Sequence, residues 1–98
     1  HIHFSISHGF NQFDIHAQME AGTFEVERLR PILLKMKKEL GFAFRIGAGV
    51  SSSKERSRYF AEHALMEANR NGRNDAFFVG EEGKVKGPLS SDTQLMYN

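Results

Sequence analysis

Four groups of residues in this chain have the types and spacing that chemistry needs. His1 and His3 stand two apart, as residues on one strand face do, and His16 falls where a returning strand would oppose them. Zinc takes three or four ligands with supporting hydrogen bonds, and no spacing here supplies that set. The histidines are read as surface residues, His63 beside Glu62 among them, and no metal or other cofactor is expected. The second group is Gly9-Phe10-Asn11-Gln12-Phe13, which reads as an ordinary hairpin loop with Phe10 and Phe13 packing locally, or as a turn whose backbone amides bind an anion. In the third, Arg45-Ile46-Gly47-Ala48-Gly49-Val50, Gly47 and Gly49 share a strand face and leave room there for a packed helix or a ligand. The fourth is Arg73, just past Asn71-Gly72. An arginine there caps helix carbonyls or pairs with an acid such as Asp75, and its functional alternative is a phosphate contact. Spacing alone assembles no serine–histidine–acid set.

These residues need elements to hold them. Ile2, Phe4 and Ile6 alternate with polar residues, which predicts a strand over 2–6. His8 to Gln12 reads as a hairpin loop, and Phe13, Ile15 and Ala17 alternate as the returning strand. Thr23 is a candidate cap for a helix whose apolar stripe is Val26, Leu29, Leu33, Met36 and Leu40. Gly41 is its stop, and Pro31 marks a kink or a late start. A strand over 42–50 follows, with Phe44, Ile46, Ala48 and Val50 facing away from the glycines. Ser52 and Glu55 have capping-box spacing for a second helix with the stripe Phe60, Ala61, Ala64, Leu65 and Ala68, ending at Asn71-Gly72. Residues 76–79 read as a short strand, Gly80 to Gly83 as a turn, 84–86 as a last extended piece, and Gly87-Pro88 as the end of regular structure. The order β-β-α-β-α-β(β) predicts an α+β fold. Its sheet is antiparallel or mixed with helices on one face, resembling the split βαβ arrangement of ferredoxin-like folds. One domain over 1–89 and a loose polar tail over 90–98 are expected.

Composition excludes several classes. The chain has 98 residues, 40% hydrophobic and 26% charged, with no cysteine. That fits one globular domain without disulfides or thiolate metal sites. No apolar run approaches the ~20 residues of a membrane span. The net charge is +1, and acids interrupt the run of Lys35, Lys37, Lys38, Lys54, Arg56 and Arg58, so direct nucleic-acid contact is not expected. A chain that opens within a strand and without methionine reads as part of a longer protein, and a cytoplasmic location is expected.

The order and the motifs resemble bacterial GGDEF domains, the diguanylate cyclases. That family's hairpin motif corresponds to Gly9-Phe10-Asn11-Gln12-Phe13, its Ser-Ile-Gly strand to Arg45-Ile46-Gly47, and its Ala-Lys-x-x-Gly-Arg-Asn helix end to Ala68-Asn69-Arg70-Asn71-Gly72-Arg73-Asn74. The resemblance covers roughly residues 2–80, without the family's first strand and its metal-binding aspartate. Residues 83–89 resemble the ending of GGDEF-like modules in bacterial transcriptional-regulator proteins.

The departures set the functional expectation. In the family the hairpin acids hold divalent metal, which requires anionic oxygens. Asn11 and Gln12 are neutral, Phe10 replaces a glycine that admits the nucleotide, and Asn69 replaces a phosphate-binding lysine. The family's inhibitory Arg-x-x-Asp would fall on His1 and Phe4. The resemblance therefore implies a degenerate, non-catalytic regulatory or interaction module of a bacterial signalling or transcription-regulating protein. The alternative is a purine-nucleotide sensor for GTP or a cyclic dinucleotide, bound by Gly9, Asn11, Gln12, Gly47, Gly49 and Arg73; a surviving cyclase ranks below both. Other domains of the parent protein are the expected partners, together with a homodimer through an unpaired sheet edge.

Overall fold

The computed structural model describes residues 1–18, 26–28, 30, 31, 35, 38, 44–72 and 75–89. The expected tail over 90–98 and Arg73 lie outside the described residues, as does most of the first expected helix.

Five strands form one mixed sheet. β1 (Ile2–His8) and β2 (Asn11–Ala17) make an antiparallel hairpin, and β1 also pairs antiparallel with β3 (Arg45–Val50). β4 (Ala76–Val79) runs parallel to β3, and β5 (Val85–Lys86) returns beside β4. The spatial order is β2-β1-β3-β4-β5. β3 and β4 are joined through helix α1 (Lys54–Asn71) and are direct neighbours, so this βαβ unit has no strand inserted between its parallel pair. A 3-10 turn at Val26–Arg28 precedes helical backbone at Arg30 and Pro31, as a late helix start at the proline anticipates.

The α1 stripe is as the spacing predicts: Ala61, Ala64 and Ala68 are fully buried, with Phe60 and Leu65 nearly so. Ser57 joins them, its hydroxyl turned back to the Lys54 carbonyl at 2.7 Å, so a polar side chain sits in the seam without an unmet bond. Ser53, one residue later than the expected Ser52, caps the helix by accepting from the Arg56 amide at 3.3 Å, and its hydroxyl reaches Glu55. At the other end Gly72 takes a left-handed φ of 65° and donates to the Asn69 carbonyl.

α1 lies on the glycine face of β3. A Cβ on Gly47 would stand 2.2 Å from the Ala61 carbonyl oxygen, and one on Gly49 2.2 Å from that of Ser57. On this side Phe60, Ala64 and Ala68 pack with Phe77 and Val79. The opposite face has its own cluster of Phe44, Ile46, Ala76 and Leu89, flanked by Phe4, Ile6 and Phe78. β5 ends before Gly87-Pro88, and the chain stays in the core there: Pro88 and Leu89 are buried, and Leu89 donates to the Ala76 carbonyl at 2.9 Å.

Gly49→Ala is expected to cost at least about 2 kcal/mol, because the clash is with helix backbone that cannot rotate away. Urea unfolding of the two chains measures it. Gly9→Ala, at a φ of 62° with open space around it, should cost only about 1 kcal/mol.

Candidate functional site

The hairpin turn is shorter than the expected loop. His8 pairs with Asn11, leaving Gly9 and Phe10 alone as the connection. Gly9 has positive φ and Phe10 does not, the combination of a type II′ turn. The Phe10 ring stands wholly in solvent, and nothing surrounds Gly9. Asn11 and Gln12 are exposed and belong to β2.

Of the six residues expected to share a nucleotide, Arg73 lies outside the described residues, and the other five do not come together. Gly47 and Gly49 are sealed beneath α1, so their missing side chains admit a helix and leave no room for a ligand. Gly47 pairs with Ser5, four residues back from Gly9, a separation of about 13 Å along the strand. Gln12 does meet the helix, lining a shallow open depression with Glu62, Leu65, Met66 and Asn69. Arg45, at the end of β3, donates to the Asn69 side-chain oxygen at 3.1 Å across the rim of this depression.

The helix-side face of β1 and β2 carries a polar cluster that spacing alone did not reveal. The register sets Ser5 opposite Asp14 and His3 opposite His16. Asp14 Oδ1 accepts from the Ser5 hydroxyl at 2.8 Å and lies 2.9 Å from His3 Nε2. His3 and Ser5 are buried, whereas Asp14 stands at the sheet edge. These two hydrogen bonds, His3 first, hold the Asp14 carboxyl below its ordinary pKa. The carboxylate is the shared acceptor, and the histidine does not bridge serine to acid. Ser5 therefore has no base poised on its hydroxyl, and the arrangement is structural rather than nucleophilic. His1 Nδ1 and His16 Nε2 lie 3.0 Å apart with their rings stacked, and desolvation, with Lys54 nearby, pushes the His16 pKa down. Among the described residues no three His, Asp or Glu side chains are placed to share a metal ion.

Glu81, from the turn after β4, binds the serine segment that leads into α1. Its Oε1 accepts from the Ser51 hydroxyl and from the Ser52 amide at 2.9 Å, and Arg56 lies 3.6 Å from Oε2. The Ser51 bond leads the causes that lower the Glu81 pKa.

No protein-family model matches the chain, nor does any curated protein or any solved structure. Among the described residues no helix is long and apolar enough to cross a membrane.

Asp14→Ala leaves the fully buried Ser5 hydroxyl without its acceptor, and a loss of about 1–2 kcal/mol is expected in chemical unfolding. Asp14's folded-state pKa is depressed, so its contribution is complete above the ordinary carboxylate range and vanishes as pH falls through the depressed value. The difference in stability between the wild-type chain and Asp14→Ala should therefore shrink below about pH 4.

Proposed function

We propose that this chain is a non-catalytic regulatory or interaction module with a degenerate nucleotide-cyclase fold. In this reading it belongs to a larger bacterial cytoplasmic signalling or transcription-regulating protein. The observation that carries it is the meeting of Gln12 and Asn69 in one depression. The GGDEF resemblance assigns the hairpin position to metal binding and the helix position to phosphate binding, and the fold sets the two side by side. Both are neutral amides here. The charged group lining the depression is Glu62, an anion that Arg58 pairs at 3.3 Å, and the Arg45 guanidinium donates to Asn69.

The chemistry agrees with the loss of catalysis. Phosphoryl transfer between nucleotides needs a divalent cation on hard anionic oxygens and positive charge on the phosphates. The acid of β2, Asp14, is turned onto His3 and Ser5 and away from the turn. The adjacent parallel β3 and β4 depart from the split βαβ unit of ferredoxin-like folds.

The test is direct. Purified chain incubated with GTP and magnesium or manganese is expected to form no cyclic dinucleotide, and calorimetry with GTP and cyclic dinucleotide is expected to show no heat at high micromolar ligand. Turnover abolished by Asp14→Ala would sink the proposal. Saturable heat weakened by Gln12→Ala or Asn69→Ala would replace it with the nucleotide-sensor reading, relocated from the glycine face to this depression.

A further inference from the structure

The two edges of the sheet are built differently. β5 is two residues long, carries Lys86, follows Lys84 and runs into Gly87-Pro88. Shortness, lysine and proline are the devices by which sheets prevent edge-to-edge pairing. β2 has none of them. It is seven residues long, its register with β1 is continuous without a bulge, and it contains neither lysine nor proline. Among the described residues no strand pairs with its outer side.

The direction of its backbone groups follows from β1. The His1 amine donates to the Ser51 carbonyl at 2.9 Å, and the Ser51 amide donates to the His1 carbonyl at 3.1 Å. His1 and Ser51 are thus a doubly bonded pair, and such pairs alternate along an antiparallel ladder. His3, Ser5 and Ser7 therefore bond to β3, while Ile2, Phe4, Ile6 and His8 bond to β2. Their partners Phe13, Ile15 and Ala17 are used up. Gln12, Asp14 and His16 aim their N–H and C=O groups outward.

We propose that β2 pairs with β2 of a second copy of this chain, antiparallel about a two-fold axis at Ile15. Three symmetric registers let the outward groups meet around Asp14; the one centred on Phe13 sets neutral Gln12 against Asp14 twice and offers no opposite charge, which leaves two. One sets Asp14 against Asp14 of the other copy, and like charges directly opposite are unfavourable. The other sets Asp14 against His16 twice, with Ile15 against Ile15 at the centre. Asp14 Oδ1 already serves His3 and Ser5, which leaves Oδ2 to accept. His16 Nε2 faces His1, which leaves Nδ1 to donate. On the opposite face Ile15, 52% exposed, comes beside its counterpart and Phe13, 55% exposed, comes beside Ala17 of the other copy, and both lose water. A two-fold axis perpendicular to the sheet keeps both α1 helices on one side, making a ten-stranded sheet from two copies of five. One strand per copy buries less than a standard interface, so the dimer is concentration-dependent.

This pairing gives the interaction role proposed above a partner. It is read by mass rather than by nucleotide chemistry, so the two proposals fail separately. Sedimentation of the full chain from about 10 µM to about 1 mM should show the mass rise from 11.1 kDa toward twice that value. Ile15→Lys, a change at a side chain solvated in the monomer, should abolish the rise while leaving the circular dichroism and unfolding curve unchanged. The chain has no cysteine, so single cysteines report the register. Ile15→Cys should cross-link to itself under mild oxidation at least about tenfold faster than Phe13→Cys, which lies four residues out of register with its own copy. A constant monomer mass, a dimer that survives Ile15→Lys, or equal cross-linking at the two positions would each overturn the proposal.

Discussion

The closest constraint in the structure is the contact of α1 with the bare backbone of β3. Two glycines on alternate positions remove the Cβ atoms that would hold the helix off, and the helix answers with serine and alanine at Ser57, Ala61, Ala64 and Ala68. A helix seated this low covers β3 and part of β1 while leaving β2 outside its shadow. The burial of His3 and Ser5, the exposure of β2 and the sealing of the glycine face all follow from that seat.

The same seat separates scaffold from surface chemistry. Polar groups brought beneath the helix must find partners there. Asp14 satisfies His3 and Ser5 from the exposed edge strand. Glu81 does the equivalent just ahead of the helix, where it accepts from Ser51 and Ser52. Both carboxylates bind side chains or backbone of the neighbouring strands and helix lead-in. The depression between Gln12 and Asn69 brings hairpin and helix together through neutral amides.

Much of this was legible in the residues. The stripe from Phe60 to Ala68, the stop at Gly72, the limits of β4 and the turn at Gly80–Gly83 follow from spacing, because local periodicity and glycine stereochemistry dictate them. The cap was misplaced by one residue, since three consecutive serines offer equivalent hydroxyls and only the helix phase chooses Ser53. The glycine pair was read as helix or ligand. Only tertiary packing distinguishes these, and it chose the helix. The His3, Ser5 and Asp14 cluster was missed although its signal was present: taking Gly9-Phe10 as a two-residue turn fixes every cross-strand pair, Ser5 with Asp14 and His3 with His16 among them. Strand order was not legible, because β1 and β2 have similar apolar alternation and nothing local says which of them lies inside.

The adjacency of β3 and β4 has a kinetic consequence. β3, α1 and β4 are contiguous over residues 45–79 and joined by short connections, so their mutual contacts form with little loop closure. The hairpin of β1 and β2 is equally local. What joins these two pieces is the β1–β3 ladder, which closes the long stretch between Ala17 and Arg45. The chain is therefore expected to fold as two quickly formed units whose docking limits the rate. Substitutions at Ile6, in the ladder, should slow folding little and speed unfolding, whereas substitutions at Ala61, in the helix seam, should slow folding. A reversed pattern of rates would refute this order.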